Sequence, residues 1–313
     1  MTDEHNESDV DIDVFEQSGS ELTPSSDPRW ERLPASTILS LEDADTLLRF
    51  KKAAVVTVVG ERNGGKTTLV AQLYEQFLRG PFAQTLFTQS WSLQGFEKKS
   101  FQSRAEYGLS HPDTPRTSAQ DGLAFFHIAV SDEASLERTD LLISERAGET
   151  YREVRDRPDR AATLIEVRKA TVIVLIVDGE RVAEARMRAG VFASVRNIAR
   201  ALLDSGGIHP QAQIQLVTTK IDLLTGDAAA NALEALTEFE ANLAALLRDS
   251  FSLTTFRIAA RDPSGNIASG SGMDRLLRSW ISPQSVERLG EPTLPELVSE
   301  FDLFLMRGAV DER

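Results

Sequence analysis

An α/β fold built on a six-stranded, mostly parallel sheet follows from three features of this 313-residue sequence. Short runs rich in Val, Ile, Leu, Phe and Thr alternate with longer stretches whose apolar residues recur at helical spacing, the chain order expected when helices cross between parallel strands. The first clear run leads at once into a glycine-rich loop and an amphipathic helix. No period of 20 to 50 residues is visible, which excludes solenoids and propellers.

The elements follow in order. Ser40-Leu-Glu-Asp43 has the form of a capping box opening a short helix to about Phe50. Strands are expected over residues 54–59, 122–130, 140–144, 171–177, 213–218 and 252–259, each bounded by polar or turn-forming residues. The segment 131–139 is too short for a crossover helix, so the second strand should run antiparallel to the third. The helix at 66–79 places Leu69, Leu73, Tyr74 and Phe77 on one face and stops at Gly80-Pro81. Further helices are expected over 182–203, from a cap at Asp227 to about 247, over 276–280 and over 295–306.

Composition narrows the class. Hydrophobic residues at 41% and charged residues at 26% are globular values, which exclude collagen-like or wholly disordered chains. The absence of cysteine removes disulfide frameworks, thiolate metal sites and cysteine nucleophiles. The longest apolar run, 171–177, is far below the roughly 20 residues of a bilayer span, and the acidic N-terminus lacks a signal-peptide pattern. A cytoplasmic protein without membrane attachment is therefore expected. The net charge of -14 disfavours nucleic acid as a partner. Residues 1–28 carry nine acids and no Lys or Arg, so most of that charge sits at one end. Residues 1–35 are read as a solvated acidic tail, 36–283 as the main domain and 284–313 as a helical extension.

The strongest motif is Gly60-Glu61-Arg62-Asn63-Gly64-Gly65-Lys66-Thr67, a complete G-x4-G-K-[ST] between strand and helix. Phosphate oxygens require several donors in a tight concavity. Backbone N–H groups at a helix N-terminus supply them when side chains leave the approach open, which Gly60, Gly64 and Gly65 do. Lys66 would set an ammonium on the β- and γ-phosphates, and the Thr67 hydroxyl would ligate Mg²⁺. Asn63 and Thr68 complete the predicted phosphate-binding set.

Three later segments decide the base and the chemistry. Thr219-Lys220-Ile221-Asp222, at the end of the fifth strand, resembles the [NT]-K-x-D motif of GTPases, in which the carboxylate accepts hydrogen bonds from guanine. Ala259-Ala260-Arg261 resembles the S-A-K motif, with Arg in place of Lys. Glu145-Arg-Ala-Gly148 resembles D-x-x-G with Glu in place of Asp. That resemblance implies a Gly148 N–H directed at the γ-phosphate, Glu145 in the Mg²⁺ shell, and Glu149 where relatives carry a water-positioning Gln.

In this order, residues 54 to about 281 resemble a Ras-like G domain of the translation-factor-related (TRAFAC) class of P-loop GTPases. The blocks at 89–97 and 111–117 look like the double-GTPase families of bacterial conflict and phage-defence systems. The resemblance implies GTP or GDP with Mg²⁺, and a protein effector or associated subunits. The first switch should supply a hydroxyl to Mg²⁺: Thr117 fits best, Thr114 is the alternative, and Arg116 could act as a cis arginine finger. An insertion is expected at about 82–117, its aromatic residues covering the sheet edge rather than forming an interface.

The four histidines are scattered without metal-ligand spacing, and His127 is expected as a packed residue. Arg152, Arg155, Arg157 and Arg160 alternate with acids and read as a solvated helix face. The function expected is a GTP-hydrolysing switch. The alternatives are a module that holds nucleotide with little or no hydrolysis, because Glu145 and Glu149 depart from the usual residues, and a P-loop ATPase.

Overall fold

Seven strands, not six, form one sheet in the order β2-β3-β4-β1-β5-β6-β7. They are β1 Ala53–Val59, β2 Thr85–Gln89, β3 Ala124–Asp132, β4 Arg138–Glu145, β5 Val172–Asp178, β6 Gln213–Thr219 and β7 Leu253–Arg257. The computed structural model describes residues 37–105, 122–226, 229–261 and 268–282. The strand absent from the six-strand expectation is β2. Four of its five residues face solvent, so it carries neither the alternation nor the continuous apolar run that marks a strand in sequence.

Pairing is parallel from β4 through β1, β5, β6 and β7. The β3–β4 pair is antiparallel, as the short 131–139 connection predicts, and β2 adds a second antiparallel pairing to β3. All seven residues of β5 are buried, which is why its sequence is an unbroken apolar run. The chain leaves β1 with β4 on one side and β5 on the other, the kind of switch point at which α/β sheets bind ligands beyond the carboxyl ends of their strands.

Helices cover both faces. They are α1 Leu41–Phe50, α2 Lys66–Leu78, α3 Leu93–Ala105, α4 Gly148–Asp156, α5 Ile165–Lys169, α6 Gly179–Ala183, α7 Ala185–Asp204, α8 Ala230–Leu247 and α9 Met273–Ile281. The Ser40–Asp43 capping box is present. Leu69, Leu73 and Phe77 of α2, Phe96 of α3, and Met273, Leu277 and Trp280 of α9 pack on one face. Tyr151, Val167, Val195, Ile198, Leu236 and Leu243, from α4, α5, α7 and α8, pack on the other.

Two helix expectations and one strand expectation need correction. The helix expected over 182–203 is two helices broken at Glu184, the last begins at Met273 rather than 276, and the expected sixth strand ends at Arg257 rather than 259. The Asp227 cap and the 295–306 helix lie outside the described residues.

Within 82–105, Phe96 is fully buried between Tyr74 and Phe126, at ring separations of 5.1 and 4.7 Å. Phe82 and Phe87 lie against Phe77, whereas Leu93 and Phe101 are exposed. Trp91 packs beside His127 and under the Lys51 ammonium. His127 is fully buried: its Nδ1 accepts from the Trp91 N–H at 3.0 Å, and its Nε2 lies 3.0 Å from Asp140 Oδ1. Burial holds His127 below its ordinary pKa despite that carboxylate. It is a packed residue that fastens the chain after β2 to the sheet.

Candidate functional site

The loop 60–65 bends sharply out of β1. Asn63 and Gly65 both have positive φ, at 63° and 87°, and Gly65 caps α2 in a conformation that L side chains resist. A Cβ on Gly60 would meet Ile176 at 2.9 Å, so the loop lies directly on β5. The Lys66 ammonium folds over the loop and donates to the carbonyls of Gly60 at 2.7 Å and Glu61 at 2.9 Å. Burial lowers its pKa to about 8, although Glu145, Glu149 and Glu61 pull it upward. A desolvated ammonium over a ring of main-chain groups is arranged to receive phosphate oxygens.

Beside it, the Thr67 hydroxyl donates to Glu145 Oε1 at 3.0 Å. Glu145 ends β4 and is 4% exposed, so its extra methylene, relative to Asp, carries the carboxylate into direct contact with the loop threonine. A hydroxyl and a carboxylate are the hard oxygen donors Mg²⁺ prefers, so the chemistry of these two residues fits that ion. Among the described residues no group of three or more His, Asp or Glu forms a further metal cage.

Gly148 opens α4 against the same loop. A Cβ there would lie 2.6 Å from the Glu61 carbonyl carbon and 2.8 Å from Arg62 Cα, and nearer still to the Arg62 nitrogen. No side chain fits this contact. Glu149 follows in the first turn of α4, exposed and near enough to Lys66 to influence its charge.

The segments that follow β6 and β7 also converge. The Thr219 hydroxyl donates to the Gly64 carbonyl at 2.9 Å and lies 3.3 Å from the Val177 carbonyl, tying the end of β6 to the phosphate loop. Lys220 takes a left-handed conformation with φ 52°, and its ammonium pairs with Asp178 at 3.0 Å and Glu180 at 2.6 Å. Desolvation opposes that charge, but the two carboxylates outweigh it and hold the pKa above the ordinary lysine value. Asp222 is buried in the short 3-10 turn Ile221–Leu223. The Ile258 N–H donates to Thr218 O at 2.8 Å, and the Ile221 N–H to Ile258 O at 3.1 Å, bringing 258–261 with Ala260 and Arg261 beside 218–222.

Thr68 lies in the first turn of α2. Arg116, Thr117 and Thr114 lie outside the described residues. Sequence reasoning missed what anchors Glu61: Arg155 Nη1 contacts it at 2.5 Å, the Ser194 hydroxyl donates at 2.6 Å, and Arg181 lies 3.6 Å away. The arginine run is therefore not merely a solvated face. Lys99 of α3 was missed too; its ammonium is 3.8 Å from Glu145 Oε1.

A cavity of about 530 Å³ opens elsewhere, lined by Lys52, Arg138, Lys169, Arg278 and Trp280, and it holds none of the predicted site residues. Three of its cations are engaged, Arg138 by Asp140, Lys169 by Asp45 and Arg278 by Asp132.

A G-x4-G-K-[ST] loop at the switch point, with a strand-end carboxylate and the turn after β6 tied to it, defines an α/β protein of the P-loop kind. The model of the Double-GTPase 2 family matches residues 54–281, and this chain belongs to that family. Membership of that family supports binding or hydrolysis of GTP.

No curated protein sequence matches the chain. Among solved structures it is similar to the GTP-bound Ski7 GTPase-like domain of S. cerevisiae, at 13% identity and TM-score 0.39, over 78% of this chain and 53% of that one. It is also similar to translation elongation factor SelB from Methanococcus maripaludis in complex with a GTP analogue, at 14% identity and TM-score 0.37, over 75% and 35%. The GDP-bound Roco2 structure from Methanosarcina barkeri gives 13% and 0.36, over 73% and 49%. The chain thus spans between a third and about half of these structures. No helix among the described residues is long and apolar enough to cross a membrane.

Proposed function

We propose that this protein is a Mg²⁺-dependent GTP-binding and GTP-hydrolysing switch that acts on a protein partner in the cytoplasm. The observation that carries the reading is the convergence of Lys66, Thr67, Glu145 and Gly148 on one loop, with Thr219 hydrogen-bonded to that loop from the segment that bears Asp222. Phosphate and base sites are thereby held in one register, so a nucleotide bound at one end is positioned at the other.

In this reading the loop amides and Lys66 bind the β- and γ-phosphates, and Asp222 accepts from the guanine edge, with Ala260 and Arg261 lining the base. Thr67 and Glu145 would hold Mg²⁺, with Thr117 as the first-switch hydroxyl. The ion would supply charge neutralisation at the phosphates. Glu149, and Arg116 in cis, are the groups proposed to orient water and stabilise transferred charge. Gly148 senses the γ-phosphate because its backbone already touches the loop, so loss of that phosphate would relax α4 and change the surface offered to a partner. A role in a bacterial conflict or anti-phage module is inferred from the likeness of the 89–97 and 111–117 blocks.

Single-turnover hydrolysis of GTP with and without Mg²⁺ tests the catalytic part. A Mg²⁺-dependent rate above that of nucleotide in buffer is expected. A rate equal to buffer would favour the second reading, a nucleotide-holding module, for which the exposed Glu149 carboxylate beside the phosphate site speaks. Displacement of GTP by ATP at equal concentration would favour the ATPase reading.

A further inference from the structure

The phosphate site is flanked by a cation that none of the GTPase motifs contains. Lys99 lies on α3, and that helix is fixed to the phosphate-loop helix at several points. Phe96 stacks on Tyr74, the Tyr74 hydroxyl bonds the Glu97 carboxylate, and the Ser100 hydroxyl donates to Glu75 at 2.7 Å. Phe96 and Ser100 are fully buried. Lys99 sits between them at helical spacing i+3 from Phe96, and therefore shares the face turned toward α2 and the sheet.

A lysine on such a face is costly unless its charge has a use. Its side chain is 12% exposed, and the ammonium is 3.8 Å from Glu145 Oε1, an ion-pair separation too long for a hydrogen bond. The same Glu145 oxygen accepts the Thr67 hydroxyl at 3.0 Å. Lys99 therefore reaches Glu145, the predicted metal ligand, whereas Lys66 bends over the loop carbonyls of Gly60 and Glu61.

We propose that Lys99 is a built-in cation for the terminal phosphate: in the GTP complex its ammonium binds γ-phosphate oxygens and so favours GTP over GDP. The proposal rests on the GTP reading of the site given above. Chemically, an ammonium has three donors, and a carboxylate at 3.8 Å leaves them able to turn to a nearby phosphate. The placement also gives α3 a purpose, since Phe96 and Ser100 hold the helix while the residue between them reaches inward.

The test compares affinities of a non-hydrolysable GTP analogue and of GDP for wild type, Lys99→Met, Lys99→Gln and Lys99→Arg, each in Mg²⁺ and in EDTA. The neutral variants should lose about tenfold or more in affinity for the GTP analogue, the usual worth of one charge-assisted contact, while GDP stays within about twofold. Lys99→Arg should recover most of the loss. Equal weakening of both nucleotides, or of neither, overturns the proposal and leaves Lys99 a structural ion pair.

A second measurement needs no variant: amine acetylation of wild-type Lys99, quantified by peptide mass spectrometry. The GTP analogue should protect Lys99 and GDP should not, and equal protection contradicts the proposal. If wild type binds no guanine nucleotide, the site reading fails first. If it binds normally and Lys99→Met is indifferent, only this inference fails.

Discussion

Gly148→Ala separates the close contact at the phosphate loop from ordinary helix energetics. The added Cβ would stand 2.6 Å from Glu61 C and 2.8 Å from Arg62 Cα. Carbon atoms rest at about 3.5–4.0 Å, so the start of α4 must retreat by about 1 Å. No rotamer relieves this clash, because the opposing atoms are main chain. Overpacking of this kind costs about 1–3 kcal/mol, and Ala returns about 0.5–1 kcal/mol of helix propensity. The net loss of stability should be about 0–2.5 kcal/mol, a melting shift of no more than several degrees in a domain this size. Function should suffer more. A displacement of about 1 Å at a positioning group can cost up to about a hundredfold in rate, and here it falls where the Gly148 N–H is proposed to meet the γ-phosphate. Thermal melting of the nucleotide-free variant, together with single-turnover hydrolysis, reads both terms. A Gly148→Ala protein with raised melting temperature and unchanged GTP turnover would refute the contact on which the reasoning stands.

Two further predictions concern charge. Unliganded Lys66 has a pKa of about 8 because it is buried, whereas a bound triphosphate favours its ammonium, so nucleotide binding should take up a proton as pH rises past 8. GTP affinity should then fall by up to about tenfold per unit above pH 8, and Lys66→Arg should abolish that slope, as titration calorimetry in buffers of different ionisation enthalpy would show. The sign for stability is opposite. The unfolded chain keeps this proton up to about 10.5 and the folded chain sheds it near 8, so the unliganded fold gains stability between those values. Glu166 is fully buried and ion-pairs with Arg146, whose Nε lies 2.6 Å away and whose Nη2 donates at 3.0 Å. Glu166→Ala leaves that guanidinium unpaired and should cost about 3–5 kcal/mol in urea denaturation.

Much of this architecture is legible in the sequence because the decisive signals are local. The phosphate loop needs contiguous residues, β5 is buried on both faces and therefore reads as an apolar run, and the 131–139 connection is too short to cross the sheet. What escaped is set by tertiary contact. The edge strand β2 is mostly exposed and has no two-sided pattern, and the low amphipathic contrast of Leu93–Ala105 hid α3. Glu61 is held by Arg155 and Ser194, 94 and 133 residues away, a pairing no spacing rule predicts. Lys99 could have been suspected from one signal, a lysine between Phe96 and Ser100 on the face that must be covered.

The substitution of Glu for Asp at 145 is instructive. The sequence left its reach open, and the fold answers it by letting the longer side chain bond Thr67 directly. Lys220 is a second such case. Its ammonium is engaged by Asp178 and Glu180, so in this arrangement it secures the turn after β6 to the end of β5.

We propose that a guanine base is read by the carboxylate of Asp222. Competitive binding of GTP, ATP and xanthosine triphosphate to wild type and to Asp222→Asn measures it directly. Wild type should prefer GTP to both competitors by at least about a hundredfold, the discrimination expected when a buried hydrogen-bonding group meets a mismatched partner, and Asp222→Asn should transfer the preference to the xanthine nucleotide. Equal binding of ATP and GTP by wild type, or an Asp222→Asn protein that still selects GTP, would contradict the account.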